Sequence, residues 1–251
     1  MQLEIDIEAE VRQPAVAALH LGCLTPGDMV NLVLQRSEVL YDQPRPGRPI
    51  KAWSEGDDAP LMQLAQSMGE TLARRAAGFI HAEYRAIAPE LAALNPKRIA
   101  DIGCGYGFFD LFAAKDLGAD LLLIDLEQNE RRHFGFQPEG AAYSSLAKAR
   151  DLLESNGIPA DRIETMNPRD ANPLTAKPVD LVVSFLSCGF HYPVDLYLDF
   201  LDKVLRPGGV AIFDLRSRTA DQQAAKLARF GSLKDLAPHA SSRRVMLRKA
   251  G

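Results

Sequence analysis

The residues best placed to do chemistry begin with Asp101-Ile102-Gly103-Cys104-Gly105-Tyr106-Gly107, where an apolar run ends in an acid and three alternating glycines. Glycines let the backbone turn sharply and lie against a ligand with no side chain between. The stretch from Phe108 to about Leu117 reads as a helix, whose first N–H groups and dipole favour a carboxylate or a phosphate. The spacing is G-x-G-x-G rather than the G-x-G-x-x-G/A of dinucleotide folds, and Phe108 and Phe109 stand where a small residue would admit a pyrophosphate. Two further acids, Asp125 and Asp170, lie after the next two apolar runs, and His191-Tyr192 follows the fourth. Histidine changes charge near neutral pH. His191 is therefore the first candidate for moving a proton and His133 the second, with Tyr192 able to orient a hydroxyl. Cys188 reads as a small packing residue, and no His/Cys cluster has zinc spacing, so no metal is expected.

The elements that must position these groups fall into two regions. Residues 1–95 carry helical patterns broken by turn signals. Pro26-Gly27-Asp28 starts one helix, Tyr41 to Asp58 reads as a loop holding the single tryptophan, Trp53, and Pro60 to about Leu94 is mostly helical. From residue 96 to 251 strand and helix alternate, which argues for a parallel sheet. Strands are expected at Arg98–Ile102, Ala119–Asp125, Arg162–Met166, Asp180–Phe185 and Val210–Leu215. Helices are expected near Ser145–Ser155, Pro193–Leu205 and Ala220–Phe230. Arg206-Pro207-Gly208-Gly209 separates the second of these from its strand, and two more strands fit the tail, the last at Arg243–Arg248.

This order of motifs resembles the class I S-adenosylmethionine-dependent methyltransferases over roughly residues 97–250. The Asp101–Gly107 run is similar to that family's first motif, Asp125 to its acidic ribose-binding position, and Arg169-Asp170-Ala171 to its adenine-contacting position. Val179–Ser184 and the run from Leu201 to Asp214 resemble its fourth and fifth strand motifs. The resemblance implies an α/β, Rossmann-like fold: a seven-stranded, mostly parallel sheet with one antiparallel strand, here with a helical N-terminal cap. It implies S-adenosyl-L-methionine as cofactor and S-adenosyl-L-homocysteine as product. Gly103, Cys104, Gly105, Tyr106 and Gly107 would meet the methionyl end, and Asp101 its amine. Asp125 would accept from the ribose hydroxyls, Leu126 would cover the adenine, Asp170 and Ala171 would edge it, and Ser184 would lie where the fourth strand meets the site.

Methyl transfer is an in-line displacement at an activated carbon, so a protein mainly aligns the nucleophile and removes its proton. Ser184–Pro193 leaves the fourth strand next to that carbon, which favours His191 as base; the alternative is a loop histidine capping the next helix. The long segment Leu126–Ser144 holds Arg131, Arg132, His133, Phe134, Phe136 and Tyr143 and suits a substrate loop. Its His133-Phe134-Gly135-Phe136 and Ala142-Tyr143-Ser144 runs resemble proteins assigned as sugar O-methyltransferases. The fourth-strand segment lacks the Pro-Pro-aromatic run of DNA amino-methylating enzymes, the acid of metal-dependent catechol enzymes and the glutamate pair of arginine methyltransferases. The expected activity is O-methylation of a sugar or another polar small molecule. N- or C-methylation of a metabolite, or a non-catalytic cofactor-binding regulator, are the alternatives.

With 251 residues, 47% of them hydrophobic, the chain can bury a full core, and a net charge of −4 gives no reason to expect nucleic-acid binding. No apolar run is long enough to span a membrane. Three scattered cysteines and an acidic, alternating N-terminus fit a reducing cytoplasm rather than a secreted framework. The expected partner is a small-molecule or glycan substrate. Residues 1–95 would cap it, with Trp53 as one wall, or build a homodimer.

Overall fold

The computed structural model describes residues 5–127, 144–236 and 242–251. Among them, the N-terminal region forms α1 (Ile7–Glu10), α2 (Pro14–Ala17), α3 (Pro26–Gln35), α4 (Gly47–Ser54), α5 (Ala59–Met68) and α6 (Glu70–Leu94). The remainder alternates as β1 (Arg98–Ile102), α7 (Phe108–Leu117), β2 (Asp120–Ile124), α8 (Leu146–Ser155), β3 (Ile163–Met166), β4 (Val179–Ser184), α9 (Leu198–Lys203), β5 (Leu205–Arg216), α10 (Ala220–Leu227), β6 (Gly231–Asp235) and β7 (Ser242–Lys249). The seven strands lie in one sheet in the order β3-β2-β1-β4-β5-β7-β6. All pair in parallel except β7, which runs antiparallel to both β5 and β6. This is the α/β sheet with one reversed strand that the motif order implied. The strand order reverses between β1 and β4, and ligands of open α/β sheets bind beyond the strands' carboxyl ends at that point.

Local chemistry explains most boundaries. Thr25 caps α3 through a reciprocal capping box with Asp28, and Pro26 opens the helix with φ already set. Gly69, at φ 52°, separates α5 from α6, and α6 stops where Asn95 turns left-handed ahead of Pro96. Ser145 caps α8 by accepting from the Lys148 N–H. Both faces of the sheet are covered. Leu32, Leu72, Ile87 and Leu91 from the N-terminal helices join Ile99, Phe112 and Leu121 in one apolar cluster. Phe200, Leu201 and Leu227 cover the other face.

Three sequence expectations need correction. The Tyr41–Asp58 stretch is not all loop: it contains α4, and Trp53 lies on that helix, buried in the apolar cluster rather than on a ligand-facing wall. Its prolines sit before or at the start of the helix, where a missing N–H costs nothing. Arg206–Gly209 does not precede β5 but bulges from it, because Val179 pairs with Leu205 while Leu181 already pairs with Val210. The helix expected from Pro193 to Leu205 is a 3₁₀ turn, Val194–Tyr197, running into the shorter α9.

Candidate functional site

A cavity of about 530 Å³ opens beyond the carboxyl ends of the strands around the β1/β4 reversal. Its floor is the turn between β1 and α7, where Gly103, Gly105 and Gly107 have φ of 78°, 58° and 71°. This left-handed backbone is open to glycine and strained for other residues. A Cβ at Gly103 would also lie 1.8 Å from Ser187 Oγ, and one at Gly105 would lie 2.8 Å from Gln35 Oε1. Gly107 caps α7, and a Cβ there would strike Leu153 of α8, so it shapes the turn without lining the cavity.

Three acids sit beneath or beside this turn. Asp101, at the end of β1, lines the cavity with Oδ1 buried and unpartnered; both carboxylate oxygens of Asp110 on α7 are likewise buried and unpartnered. Burial first, and then each other's charge, hold the Asp101 carboxyl well above the usual carboxylate range, and burial pushes Asp110 up to about 7. Two carboxyls facing each other without a cation share a proton. Asp125 lies just past β2. Its Oδ2 accepts from the Gly105 N–H at 2.8 Å and its Oδ1 from the Leu126 N–H at 2.8 Å. Burial nevertheless lifts it to about 6 against those bonds. Leu126 lines the cavity beside it, as do Pro168, Arg169, Asn172 and Leu174 from the segment after β3. Asp170 and Ala171 are exposed and stand outside that lining.

The segment after β4 supplies the opposite rim. Ser184 is fully buried away from the cavity: its hydroxyl donates to the Ile102 carbonyl at 2.6 Å and accepts from the Cys188 N–H at 2.9 Å, tying β4 to β1. Leu186 follows with φ 50°, an uncommon conformation for a large side chain and a frequent mark of binding segments. Ser187, His191 and Tyr192 all line the cavity. Ser187 Oγ donates to Tyr192 Oη at 3.2 Å, directly over Gly103, and burial pushes the Tyr192 phenol up. The His191 N–H donates to the Ser187 carbonyl at 2.7 Å, and its ring meets Phe190 edge-on at 5.1 Å between centroids. Cys104 also faces the cavity, with burial raising its thiol. His133 lies outside the described residues, together with Arg131, Arg132, Phe134, Phe136 and Tyr143.

The N-terminal helices complete the enclosure. Tyr106 Oη donates to Asp28 Oδ1 at 2.7 Å and accepts from Asn31 Nδ2 at 3.0 Å, which docks α3 on the glycine turn. Gln35 and Arg36 at the end of α3, and Ile80 and Glu83 on α6, line the cavity; so do Phe185 after β4 and Arg244 on β7. Sequence reasoning missed these residues. The available signal was a charged residue inside an apolar pattern: Glu83 sits between Ile80 and Ile87 on α6, and Asp214 interrupts Ile212-Phe213-Leu215 on β5. Among the described residues no group of three metal-ligating side chains is found, and no helix is long and apolar enough to cross a membrane.

No protein-family model matches the chain, and no curated protein matches it. Solved structures do. One is a candidate O-methyltransferase from Nostoc punctiforme, 14% identical over 69% of this chain and 59% of its own, with a TM-score of 0.45. A second is a precorrin-6y C5,15-methyltransferase from Geobacter metallireducens, 16% identical over 67% of this chain and 89% of its own, at 0.49. A third is a 16S rRNA N2 G1207 methyltransferase from T. thermophilus in complex with AdoMet and guanosine, 16% identical over 69% of this chain and 42% of its own, at 0.47. The chain thus spans less than two thirds of the first and third. The chain has the class I methyltransferase fold. Its own strand order and reversed β7 establish that; likenesses at these identities do not carry an activity across.

Proposed function

We propose that this protein is an S-adenosylmethionine-dependent methyltransferase acting on a hydroxyl of a sugar or another polar small molecule. The observation that carries this reading is one cavity joining the Gly103–Gly107 turn to two acidic strand ends, Asp101 and Asp125. The residues fit the cofactor. The unpartnered Asp101 Oδ1 suits an ammonium, and Asp125 keeps acceptor capacity for a ribose diol after its two backbone bonds. Leu126, Pro168 and Leu174 offer apolar faces to a purine, with Asn172 at its edge. The glycine turn admits the methionyl backbone where a Cβ would not fit.

When bound, the cofactor supplies a methyl group on a positively charged sulfur, already activated for displacement. The chain's own residues then have three tasks. Phe109, Phe185, the end of α3 and the middle of α6 around Ile80 exclude water from the acceptor side. Ser187 and Tyr192 orient the acceptor hydroxyl, and His191 accepts its proton as the carbon–oxygen bond forms. The helices of residues 1–95 act as the cap of this site, on the methyltransferase region of residues 96–251.

Calorimetric titration with S-adenosylmethionine and S-adenosylhomocysteine, beside NAD, tests the reading. Micromolar binding of the adenosyl ligands alone is the expected result. A folded protein that binds neither, or binds NAD as well, refutes it.

A further inference from the structure

The acceptor side of the cavity is walled by three charged residues, Arg36, Glu83 and Arg244, with a fourth, Asp214, buried behind Arg244. Arg36 ends α3 and makes a two-pronged bond to Glu83 on α6, at 2.6 and 2.8 Å. Arg244 on β7 makes another to Asp214 on β5, at 2.7 and 2.8 Å. Arg244 Nη2 lies 3.8 Å from Glu83 Oε2, so the two pairs form one chain. The relative exposures are 6% for Arg36, 5% for Glu83, 2% for Arg244 and 0% for Asp214. The Arg244 guanidinium stacks over Phe185 at 4.7 Å, and Phe109 packs against the same ring at 4.6 Å between centroids.

We infer that this wall selects an uncharged, oxygen-rich acceptor, a polyhydroxylated ring, and disfavours acceptors bearing a phosphate or carboxylate. The inference rests on the methyltransferase reading for the identity of the site, but the charge argument belongs to the wall. Each buried guanidinium meets one buried carboxylate in fork geometry, and Arg36 Nη1 also donates to Glu38 Oε1 at 3.2 Å. An anion placed here finds no unmatched cation among the described residues of this wall and lies against Glu83, in surroundings where charges are poorly screened. Elsewhere among the described lining residues, Arg169 is accompanied by Asp101, Asp125 and Asp199, so acids outnumber Arg and Lys there.

Hydrogen-bonding capacity nevertheless remains. Arg244 spends Nε and Nη2 on Asp214, while its Nη1 has no partner among the described residues. Those N–H groups can donate to a hydroxyl, ether or carbonyl oxygen without requiring a ligand charge. The tilted Phe109–Phe185 pair offers an apolar face beside these donors. A ring with hydroxyls on its edge and C–H groups on its face matches both.

The test uses matched probes: an uncharged methyl hexoside against its 6-phosphate and against the corresponding methyl hexuronide. Each is titrated into the protein alone and into protein saturated with S-adenosylhomocysteine. The expected result is at least tenfold tighter binding of the uncharged member of each pair. Equal or tighter binding of the charged members overturns the inference, as does binding of neither class by the saturated protein. Failure of S-adenosylhomocysteine to bind is read separately and counts against the cofactor reading alone, because the probe preference is also measured without it. Glu83→Gln leaves Arg36 with the half-buried Glu38 alone, and Asp214→Asn leaves Arg244 without its fork partner; each variant, verified as folded by circular dichroism, should shift the preference about tenfold toward the charged probes. An unchanged preference in both folded variants also overturns the inference.

Discussion

Replacing Asp110 by Asn should make the protein more stable at alkaline pH and leave it unchanged near pH 4. Asp110 is completely buried, its two oxygens have no partner among the described residues other than the Asp101 carboxyl it faces, and Asp101 Oδ1 has no other partner either. Burial raises the Asp110 carboxyl from an ordinary 3.8 to about 7. Below pH 4 both the folded and unfolded chains hold this proton, so the group does not favour either state. Between pH 4 and about 7 the unfolded chain ionises first and stability falls; above the folded value the loss is complete. At about 1.4 kcal/mol per pH unit the full loss is roughly 4 kcal/mol, and it belongs to the pair rather than to one carboxyl. Asparagine does not ionise, and its amide can donate to the Asp101 carboxylate. About half of the loss, roughly 2 kcal/mol, should therefore be recovered while Asp101 still pays its own desolvation. Urea unfolding at pH 4, 6 and 8.5, followed by the fluorescence of buried Trp53, reads this directly. A variant that is destabilised by the same margin at all three pH values would refute the shared-proton account.

Other perturbations discriminate among the remaining roles. Asp125→Ala removes the acceptor for two backbone N–H groups as well as the carboxylate proposed to bind a ribose, so S-adenosylhomocysteine affinity should fall at least tenfold in calorimetry; unchanged affinity would sink the assignment. His191→Ala should lower turnover by about a hundredfold with cofactor affinity retained, the size expected for loss of a general base; full activity would remove it from that role. Arg36→Met removes the fork that holds Glu83, leaving it only Arg244 at 3.8 Å, and should cost about 3–5 kcal/mol in chemical denaturation. The double change Arg36→Met with Glu83→Leu should recover most of that loss, and a double variant as unstable as the single would contradict the pairing.

The parallel core was legible because its strands are short apolar runs ended by Gly or acidic residues. Arg98–Ile102 and Phe108–Leu117 match the structure to the residue. The side of the cavity built on the glycine turn was legible in part: Asp101, Gly103, Cys104, Gly105, Tyr106, Asp125 and Leu126 cluster within a few positions of strand ends and line it, while Asp170 and Ala171 do not. The opposite side was not. Arg36, Glu83, Phe185 and Arg244 come from α3, α6, the end of β4 and β7, and their meeting depends on how α3 and α6 dock on the sheet. No local period encodes that docking; it is set by Tyr106 reaching Asp28 and by the apolar cluster shared across the two regions. Ser184 shows the opposite error. Its place at the end of β4 reads as a ligand contact, yet its hydroxyl is consumed by Ile102 and Cys188.

The buried charges of the acceptor wall are poorly explained by stability. A buried ion pair loses several kcal/mol of hydration per ion, and well-packed apolar residues of similar volume often serve the fold as well or better. Two such pairs, joined through Glu83 and Arg244, with Arg36, Glu83 and Arg244 lining a cavity rather than the packed core, are therefore retained for something other than holding α3 and α6 to the sheet. The shared apolar cluster of Leu32, Leu72, Ile87 and Leu91 with Ile99 and Leu121 already does that. What the pairs add is a set of N–H donors fixed in direction and neutralised in charge. That property has little value to folding. It has direct value to a site that must hold one hydroxyl of a many-hydroxyl molecule in line with a reacting carbon, where misplacement by an ångström costs about a hundredfold in rate.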